Sequence, residues 1–100
     1  SDVDLVDDIV REKIFRRFNQ ELPYQWTNAT IGWTELANGF LKIDHAIYVY
    51  RPTHARLVQG ALPHLHRRAL RDIQGVLHRD CHLAFHVLDK SVDRSVDRTE

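Results

Sequence analysis

Apolar residues near the start of the chain follow the spacing of an amphipathic helix. They recur every four positions, at Val6, Val10, Ile14, Phe18 and Leu22. Ile9 and Phe15 widen this stripe to the breadth that one buried helix face requires. We expect Asp2 or Asp4 to cap the helix and Pro23 to end it, since proline cannot continue a helix.

Three later segments show the strand features of β-favouring residues and alternating polarity. Tyr24–Thr34 predicts a first strand, with Ala29, Ile31 and Trp33 on one side. The stretch "ELANG" supplies a turn, and Phe40–Tyr50 predicts a second strand that forms a hairpin with the first. Cys81–Val87 predicts a third strand, whose apolar residues face the helices and whose histidines face the other way.

The segment between the second and third strands predicts two helices. Thr53 is a plausible N-cap for a short helix through about Gln59, and Gly60 is a suitable residue to end it. A longer helix is expected from about Pro63, with its core side at Leu65, Ala69, Ile73 and Val76 or Leu77. The predicted fold is therefore α+β, in the order α-β-β-α-α-β, with the helices on one face of a three-stranded sheet. Residues 1–90 form the predicted domain, and 91–100, with the repeat "SVDRSVDR", a flexible or extended tail.

Charge is unevenly distributed although the chain as a whole is neutral. Fourteen basic and fourteen acidic side chains cancel over the 100 residues. The segment from Arg51 to Arg79, however, contains six arginines and only one acidic residue, Asp72, which gives it a net charge of +5. Clustered arginines are either a solvated helix face or contacts to the phosphates of a nucleic acid. Both interpretations stay open at this point.

The histidines do not predict a metal site. His82 and His86 are four residues apart on a predicted strand, which at ~3.3 Å per residue separates them by ~13 Å. His64 and His66 lie two apart on a helix and face different directions. We therefore expect no metal and no cofactor. The chain also lacks the GxSxG and GxxxxGK[ST] motifs, so we expect no enzymatic activity from it.

Two further features bear on the compartment. Cys81 is the only cysteine, which excludes an internal disulfide and favours a reducing compartment. No apolar run approaches the roughly 20 residues that would span a bilayer, so we expect no membrane partner.

Four segments of the chain follow the pattern of a known protein family. "IVREKIFRRFNQELPY" (Ile9–Tyr24), including the "ELPY" that leads into the first strand, resembles the first helix of the type II KH domain that follows the GTPase domain in Era-family proteins. "TIGWTE" (Thr30–Glu35), "FLKIDHAIYVYRPTHARLV" (Phe40–Val58) and "RDIQGVLHRDCHLAFHV" (Arg71–Val87) keep the family's pattern. The third of these four segments most resembles the mitochondrial branch.

The resemblance departs from the family at the loop that contacts RNA. Family members carry a Gly-x-x-Gly loop with a basic residue, whereas the matching stretch here reads "VQGALPHLHRR" (Val58–Arg68). Gly60 stands where the first glycine would be and Pro63 where the second would be, so the resemblance implies a degenerate loop with a weakened grip on phosphates. Gly60 has a second interpretation as a helix C-cap. The RNA-binding residues expected from the loop's position and the charge are His54, Arg56, Gln59, Gly60, Ala61, His64, Arg67, Arg68 and Arg71.

The resemblance implies binding to small-subunit ribosomal RNA during ribosome assembly, with ribosomal proteins as further partners. The chain would act there either as the end of a GTPase whose catalytic domain lies upstream or as a derived ribosome-associated protein. The alternative is a KH-shaped domain that has lost this grip and docks on protein through its first helix or the outer face of the sheet, where Phe40, Tyr48 and Tyr50 could form an apolar patch. The mitochondrial-looking segment and the use of eleven arginines against three lysines indicate the mitochondrial matrix, with the cytoplasm as the alternative.

Overall fold

A computed structural model describes residues 1–22 and 25–91, which form two helices and one three-stranded sheet. The elements in chain order are α1 (Asp2–Phe18), β1 (Trp26–Glu35), β2 (Leu41–Val49), α2 (Pro52–Leu77) and β3 (Cys81–Asp89). The predicted fold class, α+β with helices on one face of a three-stranded sheet, is confirmed. Pro23, expected to end the first helix, and residues 92–100 of the predicted tail lie outside the described residues.

Helix α1 buries the apolar stripe that the sequence predicts. Its buried residues are Val6, Val10, Ile14 and Phe18. The cap is Ser1 and not Asp2 or Asp4, because the Ser1 hydroxyl accepts a hydrogen bond of 3.3 Å from the Asp4 amide. Asp2 and Asp4 instead occupy the first turn, where negative charge is favoured by the helix dipole.

The sheet combines the predicted hairpin with a parallel third strand. Strand β2 is central, paired antiparallel with β1 and parallel with β3. A bulge interrupts β1, because Thr30 faces His45 and Gly32 faces Asp44, which leaves Ile31 without an opposite residue. Ile31 is consequently 52% exposed, whereas the predicted alternation placed it on the same side of the strand as Trp33. Trp33, which lies beyond the bulge, does pack against the core.

One continuous helix joins β2 to β3, where the sequence predicted two helices and a corner. Helix α2 runs for 26 residues and contains both Gly60 and Pro63 in its interior. The backbone φ of Gly60 is not positive, so its predicted role as a C-cap is wrong. Pro63 is not in a first turn, and Arg51 rather than Thr53 occupies the N-cap position. The helix ends at His78, which adopts a left-handed conformation with φ of 57°.

An unbroken apolar stripe explains why α2 continues past its two helix breakers. The buried residues follow one another at intervals of three or four positions: His54, Val58, Ala61, Leu65, Ala69 and Ile73. In a helix interior proline costs about 3 kcal/mol and glycine about 1 kcal/mol relative to alanine. Burying each Val, Leu or Ile side chain contributes about 1.5–3 kcal/mol, so the stripe as a whole outweighs the breakers. A break at Gly60 would rotate one half of the stripe away from the core.

A buried polar cluster fastens α1 to the sheet. His45 is 0% exposed, and its Nε2 lies 2.9 Å from Asn28 Nδ2 and its Nδ1 3.3 Å from Thr30 Oγ1. The Thr30 hydroxyl donates to Asp7 Oδ1 at 2.7 Å, and the Asn28 amide also donates to the Asp7 carbonyl at 3.2 Å. These bonds fit a neutral imidazole that accepts at Nε2 and donates at Nδ1. Burial accordingly lowers the pKa of His45 to about 4, against a smaller opposing effect of the Asp7 charge.

The continuity of α2 predicts that its helix breakers are destabilising. Gly60→Ala should raise the free energy of unfolding by about 0.5–1 kcal/mol, because alanine is favoured in a helix interior; nothing lies within 4 Å of the added Cβ. Pro63→Ala should raise it by up to about 3 kcal/mol, since it restores an N–H to the Gln59 carbonyl four residues earlier. Chemical denaturation of each variant measures both effects.

Gly39→Ala is the matched control for this series. Gly39 also has open space around the added methyl group, but its φ of +89° is strained for any other residue, so alanine should destabilise the protein there. A Gly60→Ala variant that lost stability as Gly39→Ala does would contradict a continuous helix at residue 60.

Burial of His45 predicts a loss of stability in mild acid. Its pKa is about 4 in the folded protein and about 6.5 when unfolded, so the unfolded chain binds the proton more readily. The contribution of His45 is therefore fully present above pH 6.5 and is lost as the pH falls toward 4, by about 1.4 kcal/mol per pH unit and roughly 3 kcal/mol in all. Denaturation at a series of pH values across this window measures the slope.

His45→Gln should flatten that slope, because the amide does not titrate. His64→Gln, which removes a histidine from an exposed position on α2, should leave it as in the wild type. An unchanged slope in His45→Gln would show that the buried histidine is not its source.

Candidate nucleic-acid interface

Helix α2 exposes seven of the nine residues that the sequence singled out as RNA contacts. The exposed set is Arg56, Gln59, Gly60, His64, Arg67, Arg68 and Arg71. His54 and Ala61 are only 9% and 6% exposed, because both belong to the buried stripe of α2. Their predicted place at an RNA surface is therefore wrong, and they support the interface only by anchoring the helix.

The exposed residues form a stripe along the solvent side of α2. Arg56, Gly60, Arg67 and Arg71 are separated by one or two helical turns, which places them on the same side of the helix. At 1.5 Å of rise per residue, Arg56 and Arg71 are about 22 Å apart along the axis. A depression of about 660 Å³ has Arg67, Arg68 and Arg71 among its lining residues. We refer to the seven exposed residues of α2, Arg56, Gln59, Gly60, His64, Arg67, Arg68 and Arg71, as the arginine stripe.

Helix α1 adds basic residues that were not among the predicted RNA contacts. A narrow cavity of about 160 Å³ lies between the two helices. It is lined from α1 by Lys13, Arg16 and Arg17 and from α2 by His64, Leu65 and Arg68. This basic groove adjoins the arginine stripe, because His64 and Arg68 belong to both. The signal in the sequence was the clustering of "REKIFRR" (Arg11–Arg17), but nothing in the sequence alone places α1 beside α2.

Acidic side chains neutralise only part of this basic surface. Lys13 Nζ lies 2.5 Å from a carboxylate oxygen of Asp72, and Arg71 contacts the same carboxylate at 3.8 Å. The hydrogen bond from Lys13 is the main reason why the pKa of Asp72 is lowered. Arg16 pairs with Glu12 at 3.1 Å. Within residues 1–22 and 25–91, no carboxylate pairs with the remaining arginines of the stripe and the groove, which are Arg17, Arg56, Arg67 and Arg68.

The outer face of the sheet has a different character. His86 Nε2 lies 2.9 Å from Asp44 Oδ1, and this hydrogen bond, followed by the one from Lys42, lowers the pKa of Asp44. The ring of His82 stacks on Phe40 with centroids 5.1 Å apart. Lys90 lies 5.2 Å from the centre of the Tyr48 ring. Charged and imidazole side chains therefore interrupt the aromatic patch that was expected from Phe40, Tyr48 and Tyr50.

The remaining histidine contacts are structural as well. His66 Nε2 donates to the Leu83 carbonyl at 2.6 Å, which ties α2 to β3.

Among the described residues, no three His, Cys, Asp or Glu side chains are grouped so that they could hold a metal ion. The helices described are also too short or too polar to cross a membrane.

A helix, an antiparallel hairpin, a long helix and a third strand parallel to the second define an α+β domain of the KH type. The chain is homologous to the C-terminal region of GTPase Era, which is the KH domain of that protein. It is 35% identical over 83 residues, or 79% of its length, to GTPase Era of Mesorhizobium japonicum. It is 45% identical over 56 residues, or 56% of its length, to GTPase Era of Afipia carboxidovorans. The predicted resemblance to an Era-type KH domain is thus confirmed, whereas no protein-family model matches the chain.

Solved structures agree with this fold. A crystal structure of Era in complex with MgGDPNP and nucleotides 1506–1542 of 16S ribosomal RNA superposes on 85% of this chain with a TM-score of 0.76 and 22% identity. The chain covers 30% of that structure, 27% of the Mesorhizobium protein and 18% of the Afipia protein. It therefore spans less than a third of these relatives, and their GTPase domain lies outside the part that it matches.

Proposed function

We propose that this chain is the RNA-binding KH domain of an Era-like GTPase and binds small-subunit ribosomal RNA in ribosome assembly, without catalytic activity of its own. The proposal is supported by homology to the KH region of Era and by the fold shared with an Era protein that was crystallised with 16S ribosomal RNA nucleotides. In such an arrangement a separate GTPase domain supplies the chemistry, and this domain supplies the contact to RNA. Ribosomal proteins are further partners under the same proposal.

The observation that carries the proposal is the uncompensated charge on two adjacent helices. Arg56, Arg67 and Arg68 on α2 and Arg17 on α1 have no carboxylate partner among residues 1–22 and 25–91. Holding such like charges together costs energy unless an anion shares the surface. A phosphodiester backbone, with one negative charge per nucleotide, matches an elongated row of guanidinium groups.

A continuous α2 changes how this domain holds RNA. A Gly-x-x-Gly loop brings backbone amides close to phosphates, but most amides in a helix interior are already bonded to carbonyls four residues earlier. We propose that "VQGALPHLHRR" stands in place of the family's loop and has lost that backbone contact. Side chains of the arginine stripe and the basic groove then supply the affinity. Binding that relies on side-chain charge is strongly salt-dependent.

The compartment of the protein is also a proposal. The use of eleven arginines and three lysines and the resemblance of Phe40–Val58 to mitochondrial family members support the mitochondrial matrix. The relatives named above are bacterial proteins. Imaging of the full-length protein fused to a fluorescent tag, with a mitochondrial marker beside it, tests this assignment, and signal confined to the cytoplasm would contradict it.

Docking on protein, the alternative drawn from the sequence, has weaker support. The outer sheet face has no continuous apolar patch, because the Lys42–Asp44–His86 cluster lies across it. Homology to an RNA-binding protein also favours the first function. Cross-linking in cell extract separates the two, since RNA adducts on α2 support the first and protein adducts on the outer sheet face support the second.

Reversing two arginines of the stripe should abolish RNA binding. Arg67→Glu combined with Arg68→Glu removes two phosphate contacts and adds two repulsive charges. In the wild type, log K for single-stranded ribosomal RNA should fall linearly with log salt, with about 0.7 of slope per phosphate contacted. Replacing the same pair with glutamine should therefore reduce the slope by about 1.4. Fluorescence anisotropy over a salt series measures these changes.

Arg51→Glu is the matched control for Arg67→Glu. Each changes the net charge by the same amount at an exposed position, but Arg51 precedes α2 and lies outside the arginine stripe. Only the Arg67 variant should bind much more weakly. Equal losses would show that total charge rather than the stripe determines binding, and salt-insensitive wild-type binding would contradict the proposal outright.

Removing an acidic side chain from the interface should strengthen RNA binding. Asp72→Asn leaves Arg71 without a carboxylate partner and leaves Lys13 with only its longer contact of 3.7 Å to Glu12, so both become more available to phosphate. RNA binding should become tighter and its salt slope steeper, at some cost in stability because the Lys13 bond is lost. Glu35→Gln is the control, since it removes a carboxylate that pairs with Arg79 away from the interface. Weaker RNA binding by folded Asp72→Asn would contradict this assignment.

A further inference from the structure

A further cavity, of about 400 Å³, lies at the C-terminal end of α1 and is not part of the basic groove. Its aromatic walls are Phe15 and Phe18 from α1 and Trp26 from the start of β1. The cavity volume falls within the range of small-molecule sites in proteins. We call it the aromatic pocket.

Phe15 is unusual among the residues of this pocket. Its side chain is 56% exposed, although Phe18 one turn later is buried at 2%. Exposing a phenylalanine forgoes the roughly 25 cal/mol per Å² that burial of its surface would contribute. An exposed aromatic ring beside a partly buried indole provides a flat apolar surface for another ring.

Two guanidinium groups and two amide side chains surround these rings. The Arg11 guanidinium lies 5.6 Å from the centre of the Trp26 ring, and the Arg17 guanidinium lies 5.1 Å from that of Phe18. Asn19 and Gln20 place two amide side chains on the pocket wall. Within residues 1–22 and 25–91 neither amide side chain has a hydrogen-bond partner. Each amide offers one acceptor and two donors to a ligand.

These features fit a nucleobase better than a phosphate. Unpaired bases are bound by stacking on aromatic and guanidinium planes, with hydrogen bonds to their edges from groups such as amides. A phosphate is disfavoured because the pocket lies at the C-terminal end of α1, where the helix dipole is negative. Among the residues that the structure describes, no carboxylate lines the pocket, so none of them would repel the phosphate attached to a bound base.

Arg17 connects the aromatic pocket to the basic groove, because it lines the groove and also covers the ring of Phe18. The geometry points to the aromatic pocket as the site of one unpaired base of an RNA strand whose phosphates lie in the basic groove. This assignment rests on the proposed RNA-binding function and adds a base-contacting subsite to it. The residues that carry it are Phe15 and Trp26 as stacking surfaces and Asn19 and Gln20 as edge contacts.

Tryptophan fluorescence tests the subsite directly. The chain has two tryptophans, so a Trp33→Phe background reports on Trp26 alone. Titration with a short single-stranded RNA should quench this emission, because a base stacks beside the indole. Phe15→Ala in the same background should weaken binding roughly 5- to 150-fold, the effect expected from losing one stacked base. Phe15→Leu, which keeps an apolar side chain without an aromatic face, should weaken binding similarly.

Two controls separate this subsite from the charged surface. An RNA of the same length with abasic positions keeps its phosphates, so it should bind in a salt-dependent manner without quenching Trp26. Leu5→Ala alters another exposed apolar residue of α1 and should leave quenching and affinity unchanged. Circular dichroism of each variant confirms that it is folded.

Different results would contradict the base subsite and the proposed RNA binding. Salt-dependent RNA binding with no quenching of Trp26, or with wild-type affinity in Phe15→Leu, would overturn the subsite and leave the arginine stripe standing. Equal quenching by abasic RNA would also overturn it. An absence of RNA binding by the wild type would overturn both proposals.

Discussion

The architecture of this domain depends on burial of one continuous apolar stripe on α2. The stripe extends from His54 to Ile73 and packs on α1 and the sheet without a break at Gly60 or Pro63. Local preference favours a turn at these two residues, but the free energy of burying the whole stripe is larger than the cost of both. The rigid rod that results fixes the direction of every exposed side chain on its opposite side. The arginine stripe is therefore a consequence of core packing.

Helix α1 has a corresponding double role. Its buried face is joined to the sheet by apolar packing and by the hydrogen bonds of Asp7, Asn28, Thr30 and His45. Because each polar group in this cluster has a partner, burial of His45 is tolerated as long as the imidazole stays neutral. The same attachment holds Arg16 and Arg17 beside α2, where they become part of the basic groove. Helix α1 thus contributes both to the cluster around the buried histidine and to the cationic surface.

The proposed binding mode follows from this rigidity. A flexible glycine loop can adapt its backbone to a phosphate, whereas a helix offers only its side chains. Arginine suits such a surface, because its planar guanidinium bonds phosphates in pairs and also stacks on rings, as Arg11 and Arg17 do on Trp26 and Phe18. Phosphate contacts provide affinity that depends on salt, and base contacts provide preference for a sequence. In the proposed mode, the arginine stripe provides the phosphate contacts and the aromatic pocket provides the base contact.

The amino-acid sequence by itself determined the α+β class, the three strands, the first helix and the segment where positive charge accumulates. These features are local, since the period of apolar residues and the balance of charge are visible within a single segment. Only the tertiary structure decided the features that depend on competition between distant parts of the chain. Gly60 and Pro63 indicate a corner when taken alone and are overruled by the core that α2 shares with α1 and the sheet.

Competition between distant parts of the chain also explains the other places where the structure differs from the sequence predictions. Ile31 alternates correctly with its neighbours in the sequence, but a bulge against β2 leaves it outside the core. His54 and Ala61 lie in a basic segment, and the rotation of α2 on the sheet buries them. Arg16 and Arg17 are remote from Arg68 along the chain and reach it only because two helices pack side by side. Pairing and packing are long-range interactions, so neither the groove nor the pocket could be assembled from local patterns alone.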